Sequence, residues 1–201
     1  MAVGERTPRE RIVHSAVKHL RRHGVEGMGL RPVVSDADAP WGSLHHYFPE
    51  GKDQLVAEAL AWSGQFAAEQ VSDYVRSVRS PDPAGLFDHI VRWWAGDLKR
   101  RSFALGCPVA ASISDGLAHA RVRLAATGAL DDWRAAIHAA LLDMGVPARR
   151  IHDLSTLMLA SLEGGILLAR AERSTASLDT IRRQLRPVLL AAVTPHEGPH
   201  A

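Results

Sequence analysis

Cysteine is nearly absent: Cys107 is the one thiol in 201 residues. No disulfide can form within the chain, and a reducing, cytoplasmic setting is expected. The first residues, MAVGERTPRER, carry charges where a secretion signal needs an apolar stretch, and no uninterrupted run of about 18 apolar residues occurs anywhere. Neither export nor membrane insertion is expected. Strand-like alternation bounded by turn signals is lacking too, which excludes a sheet-based fold. A glycine-rich phosphate loop, a nucleophile elbow and a spaced set of Cys, His or carboxylate metal ligands are all missing, so no cofactor or metal is expected. Net charge is close to balance at +2. That value alone does not point to nucleic acid, although the segment before Asp36 holds seven Arg or Lys against three Glu.

What is present is helical periodicity. Apolar residues recur at three and four almost throughout, and 46% of the chain is hydrophobic, enough to bury a core. The expected fold is all-α. Thr7-Pro8-Arg9-Glu10 is a helix start: Thr7 can cap, Pro8 loses nothing at the first position, and Glu10 can bond back to the cap amide. This helix runs to His23, with Ile12, Val13, Ala16, Val17 and Leu20 as its buried stripe and Gly24 as its stop. Two short helices follow, over Leu30–Ala37 and from Pro40 to Phe48, separated by Asp38 and Ala39. Two brief helices joined so tightly suggest a helix-turn-helix. A long linking helix is expected from Lys52 to Val78, ended by Ser80-Pro81-Asp82-Pro83. Further helices are expected at Ala84–Arg101, Pro108–Gly116, Ala118–Met144, Ala148–Glu172 and Leu178–Val193. The tail beyond Thr194 has little to bury.

The stretch LRPVVSDADAPWGSLHHYF, over 30–48, followed by PEGKDQL, resembles the N-terminal unit of the TetR family of repressors. The resemblance covers about the first 60 residues strongly and the remainder in helical layout. It implies a DNA-binding domain over 1–51 and a ligand-binding and dimerisation domain over 52–194, with 52–79 as the linking helix; composition makes 195–201 an expected disordered tail. A helix fits the major groove, about 12 Å wide, when small residues permit close approach and polar side chains project. Gly42 and Ser43 are small; Trp41, His45, His46 and Tyr47 can project; Leu44 and Phe48 can face inward. Lys52, opening the next helix, can join its charge to free amides on a phosphate. The resemblance also places Arg31 where the family puts a base-contacting or phosphate-contacting residue. Three positions depart from the family pattern: Asp38 replaces the turn glycine, Trp41 replaces a basic or polar residue, and His45 replaces a tyrosine. The glycine in Phe48-Pro49-Glu50-Gly51-Lys52 and the later Gly106-Cys107-Pro108-Val109-Ala110 resemble the branch typified by LmrA and YxaF.

Trp62, Phe66, Trp93, Trp94, Phe103, Cys107, Met158 and Leu162 are expected to border a pocket for a small apolar or aromatic inducer. The last two helices are expected to pair with their symmetry mates, through Leu154, Leu157, Met158, Ser161, Leu162 and Gly165 on one and Leu178, Ile181, Leu185, Val188, Leu189 and Ala192 on the other. The function this implies is a homodimeric repressor that grips a pseudo-palindromic operator on double-stranded DNA and is released by its ligand. Two other classes compete. An enzyme would rest on Cys107, or on a histidine with Asp88 or Asp153, and no local activating pattern supports either. A helical small-molecule binder that no longer touches DNA would rest on Trp41 and His45.

Overall fold

The structure, a computed structural model, describes residues 6–116 and 118–193. Among the described residues there are nine helices and no strand. They are α1 (Pro8–His23), α2 (Leu30–Asp36), α3 (Trp41–Tyr47), α4 (Lys52–Ser77), α5 (Pro83–Arg100), α6 (Pro108–Asp115), α7 (Ala120–Asp143), α8 (Ala148–Glu172) and α9 (Ala176–Leu190). The tail expected beyond Thr194 lies outside the described residues. Two compact units divide the chain: Met1–Phe66 with Leu105–Asp132, and Ala67–Ala104 with Trp133–Ala201.

In the first unit α1 packs on α2, α3 and α6. Its capping box forms as the sequence predicts: Thr7 Oγ1 accepts from the Glu10 amide at 3.3 Å, and Glu10 Oε2 accepts from the Thr7 amide at 2.8 Å. Gly24 ends it at φ 69°, where its amide donates to the Leu20 carbonyl. Ile12, Ala16 and Leu20 of α1, Val33 of α2, and Leu44 and Phe48 of the α3 region are buried together with Leu55 of α4.

Several helix boundaries differ from expectation by one to three residues. Pro40 is not the first residue of α3 but its cap, extended at ψ 140°, and Phe48 follows the helix. An extended Pro40 still receives the Ser43 amide on its carbonyl at 2.9 Å, so the helix begins one residue later. The helix expected at Ala118 begins at Ala120, with His119 just outside it. α9 begins at Ala176 rather than Leu178 and ends at Leu190 rather than Val193.

In the second unit α9 packs on α5 and α8, and α5 on α8. Asp82 caps α5 by accepting from the Gly85 amide at 2.9 Å, while the Tyr74 hydroxyl donates to the Asp82 carbonyl at 3.3 Å. Arg182 of α9 reaches Asp88 of α5 at 2.6 Å, and Arg92 reaches the other oxygen of the same carboxylate at 2.8 Å. One helix among those described, α8, has the length and apolarity a bilayer crossing would need, with mean hydropathy 1.3 over 18 residues and 44% of that window buried in the protein. The window also holds Ser155, Thr156 and Ser161, so it is not an uninterrupted apolar run. A core helix passes the same test, and the buried side of α8 is such a core.

That burial also corrects the expected pairing stripe. Leu154, Met158, Leu162 and Gly165 of α8, Leu178 and Leu189 of α9, and Ala192 just after it are buried inside their own unit. A Cβ on Gly165 would come within 2.7 Å of Leu178 and 2.8 Å of Ile181, so this glycine serves α8–α9 packing within the chain. The outward apolar positions are Leu157, Leu167 and Leu168, with Val188 and Leu190 on α9.

Candidate nucleic-acid interface

The short helix α3 has one buried face and one open one. Leu44 is 1% exposed and Phe48 0%, which seats the helix on the core. Trp41, Gly42, His45 and His46 are exposed, and Ser43 and Tyr47 half-buried. Rings line this outer side: Trp41 and His45 meet edge to face with centroids 6.0 Å apart, as do His46 and Tyr47 at 4.8 Å. Arg31, in the first turn of α2, lies 5.7 Å from the Trp41 ring centroid. A cation over an indole is held in place while its donors stay available. Seven of the eight expected DNA-contacting residues are thus gathered on α2 and α3.

The eighth, Lys52, opens α4 and is half-buried; its Nζ donates to the Glu26 carbonyl at 3.3 Å, which fixes the ammonium close to the α1–α2 turn. A carbonyl leaves the charge itself unneutralised.

Gly42 carries a separate message. A Cβ built there meets no atom within 4 Å, so nothing inside the unit requires glycine. Glycine in a helix costs about 1 kcal/mol relative to alanine, and α3 has only seven residues to absorb that. The missing side chain therefore leaves room for something outside the chain.

Polar side chains of α1 that sequence reasoning left on the surface hold α2 and the turn in place. Ser15 Oγ donates to the Val33 carbonyl at 2.8 Å, and Lys18 Nζ sits 2.8 Å from both Asp36 oxygens. The Lys18 hydrogen bond is the largest cause holding the Asp36 carboxyl below its ordinary value. Arg11 donates to the carbonyls of Ala37 and Asp38. Arg9 pairs with Glu58 at 2.6 Å, and Arg21 donates to the Gly106 carbonyl at 2.7 Å. Much of the basic excess before Asp36 is accordingly spent on internal contacts. Only knowledge of which elements meet reveals this, since Arg21 and Gly106 are 85 residues apart.

The expected pocket residues divide between the units. In the first, Trp62 and Phe66 stack at 5.3 Å with planes 15° apart, and His14 meets Trp62 edge-on at 4.3 Å. Trp62 lines an open groove of about 590 Å³ with Val13, His14, Ala61 and the Arg9–Glu58 pair. Burial, ahead of the nearby Arg6 charge, pushes His14 below its ordinary pKa. Cys107 is buried at the cap of α6. In the second unit Trp94 is buried and Trp93 half-buried, in edge-to-face contact at 5.1 Å. Phe103, at φ 60°, belongs to the turn after α5, and Met158 and Leu162 are each 1% exposed in the α8 core. Trp133, which the sequence offers only as apolar surface, is 4% exposed, and its indole Nε1 has no hydrogen-bond partner. A buried donor without a partner is uncommon.

Comparison with known proteins agrees with this architecture. Residues 83–184 match the model of the transcriptional regulator LmrA/YxaF-like C-terminal domain. An HTH-type transcriptional regulator of Mycobacterium tuberculosis, Rv0196, is 35% identical over 190 residues, covering 92% of this chain and 95% of its own. YxaF of Bacillus subtilis, also an HTH-type regulator, is 28% identical over 183 residues, covering 90% and 94%. A TetR regulator structure from Legionella pneumophila superposes with TM-score 0.77 at 19% identity, over 93% of this chain and 100% of that one. The chain belongs to the TetR family of transcriptional regulators, in its LmrA/YxaF-like branch.

Proposed function

We propose that this regulator represses transcription by seating the outer face of α3 in the major groove, with a dimer covering two half-sites about 34 Å apart. Gly42 carries the reading: its open α-carbon on an otherwise ring-lined face suits close approach to a DNA backbone. Arg31, Trp41, Ser43, His45, His46 and Tyr47 contact bases, sugars or phosphates, and Lys52 contacts a phosphate. Residues 1–51 carry DNA binding, and 52–194 carry ligand binding and dimerisation. TetR-family regulators bind operators as dimers and respond to small molecules, and the dimer here pairs through the outward faces of α8 and α9. The ligand is small and apolar or aromatic, drawn to residues among Trp62, Phe66, Trp93, Trp94, Phe103, Cys107, Met158 and Leu162. The Trp133 indole adds a donor for an acceptor on such a ligand. A ligand that prefers the DNA-incompetent form shifts the population and releases the operator.

The chain acts in the cytoplasm, where its DNA is, and is not an enzyme. Two observations favour the absence of enzymatic chemistry: the Cys107 thiol is buried, and Asp88 is occupied by two arginines. The test is binding of the purified dimer to its own upstream DNA across a salt series, against a scrambled duplex. Specific, two-fold-symmetric protection supports the reading, and Lys52→Ala should lower the salt slope by about one unit. Equal affinity for operator and scrambled duplexes throughout the genome's candidate sites would favour a ligand binder that has lost DNA.

A further inference from the structure

His119, immediately before α7, stands between two carboxylates. Its Nδ1 lies 3.2 Å from Asp53 Oδ2 in the first turn of α4, and its Nε2 lies 3.0 Å from Glu26 Oε1 in the turn after α1. One ring thereby joins three segments of the first unit that lie far apart in sequence. Its surroundings are charged on every side that packs there. Lys52 Nζ is on the Glu26 carbonyl, Asp115 at the end of α6 accepts from the Val25 and Glu26 amides at 3.1 and 3.2 Å, and Arg121 of α7 pairs with Glu50 just ahead of α4.

Only the imidazolium can donate through both nitrogens; the neutral ring turns one lone pair toward a carboxylate. The hydrogen bond to Glu26, followed by that to Asp53, raises the His119 pKa above its ordinary 6.5. Both carboxylates thus favour the protonated ring over the neutral one.

We infer that His119 is a proton-operated tie between the α6–α7 junction and the two segments that flank the helix-turn-helix, the α1–α2 turn and the start of α4, and that protonating it strengthens operator binding. The inference rests on the DNA-binding reading of α3. Two effects give it this sign. The closed tie fixes Glu26 and Asp53, which flank the Lys52 ammonium through its carbonyl bond and its neighbouring position in the chain. The imidazolium also offsets two negative charges beside the lysine that approaches phosphate. Departure of the proton leaves both carboxylates uncompensated there and opens one of the two bonds.

Other histidines are present, His45 and His46 on the α3 face among them, so pH dependence of the natural protein alone cannot identify His119. Operator affinity of the full chain is therefore compared at about pH 6 and about pH 8, at constant ionic strength, for the natural protein, His119→Gln and Asp53→Asn. The gain at low pH should be about two- to fivefold larger in the natural protein than in His119→Gln. Asp53→Asn keeps the ring and an oxygen that can accept but removes one negative charge, so its His119 resonance should titrate at lower pH by NMR and its gain should be intermediate. Equal gains in the natural protein and His119→Gln, or an unmoved His119 midpoint in Asp53→Asn, overturn the tie. Failure of the natural protein to distinguish operator from scrambled DNA at either pH would instead overturn the reading of α3, and the tie with it.

Discussion

The guanidinium of Arg11 holds the backbone carbonyl of Asp38, Nη2 to oxygen at 3.1 Å, while its Nε donates to the Ala37 carbonyl at 3.0 Å. Asp38 occupies the turn between α2 and α3 at φ 48°, a left-handed conformation that costs a non-glycine residue roughly 1 kcal/mol. An arginine on α1 thus holds the turn that aims α3. Arg11→Ala should destabilise the protein by about 1–2 kcal/mol in urea unfolding and weaken operator binding beyond what one lost surface charge explains. Lysine at position 11 cannot hold both carbonyls with a planar fork, so Arg11→Lys should restore only part of the loss. Full restoration by lysine would mean that charge alone acts there.

The contrast between Arg11 and Leu44 shows what a sequence discloses. Leu44 and Phe48 declare their inward faces by their spacing, and helices from Pro8 to Glu172 follow from periodicity, caps and proline punctuation within two residues. Arg11, Ser15 and Lys18 read as a solvated helix face, because their partners at 33, 36, 37 and 38 become neighbours only through tertiary packing. The same limit explains α8. A 3.6-residue repeat shows that Leu154, Leu157, Met158 and Gly165 are apolar or small, but not which of them α9 covers. His119 gave no signal at all, since its partners at 26 and 53 lie 93 and 66 residues away.

Two glycines, one on α4 and one on α7, should respond oppositely to alanine. At Gly64 of α4 a Cβ would lie 2.7 Å from the Ala129 Cα and 2.9 Å from its carbonyl oxygen, so the α7 backbone itself must move. Gly64→Ala should cost about 1–3 kcal/mol. At Gly128, inside α7 and exposed, a Cβ meets nothing within 4 Å, and Gly128→Ala should gain about 0.5–1 kcal/mol from helix propensity. Denaturant midpoints for the pair check both signs. A tolerated Gly64→Ala would refute the close approach of α4 and α7.

Acid should weaken the fold through histidines that burial keeps neutral. Desolvation is the first cause lowering the pKa of His14, His19 and His138 below 6.5. A depressed folded value means that the unfolded chain takes up protons first. The stabilisation is therefore present above about pH 6.5 and fades as pH falls through that value toward the lower folded ones. His119, with its raised value, works in the opposite sense and loses its contribution as pH rises. Thermal unfolding midpoints should drop on acidification from about pH 7.5 to about pH 5.5, and the drop should be smaller in His14→Gln and in His138→Gln. His138 also shares a 2.7 Å hydrogen bond with Ser155, so His138→Gln should lower the midpoint at neutral pH as well. An undiminished acid drop in both variants would locate the acid sensitivity elsewhere.

The outward face of α8 supplies a test of assembly that is independent of DNA. Leu157 and Leu168 are 38% and 49% exposed, and Gly164 between them would place a Cβ within 4 Å of nothing. Leucines seven residues before and four after an open glycine share its side of the helix and suit the close crossing of a second helix, and exposed apolar surface of this kind favours a partner over water. Leu168→Arg should raise the dimer dissociation constant by about a hundredfold or more, because pairing would bury an unmatched charge against its symmetry mate. Sedimentation reads the shift to monomer, and far-UV circular dichroism should stay unchanged, since Leu168 takes no part in its own unit's core. Operator affinity should fall in step with dissociation, as each monomer then holds one half-site alone. A dimer that survives both Leu157→Arg and Leu168→Arg would mean that this face of α8 is not where the two chains meet.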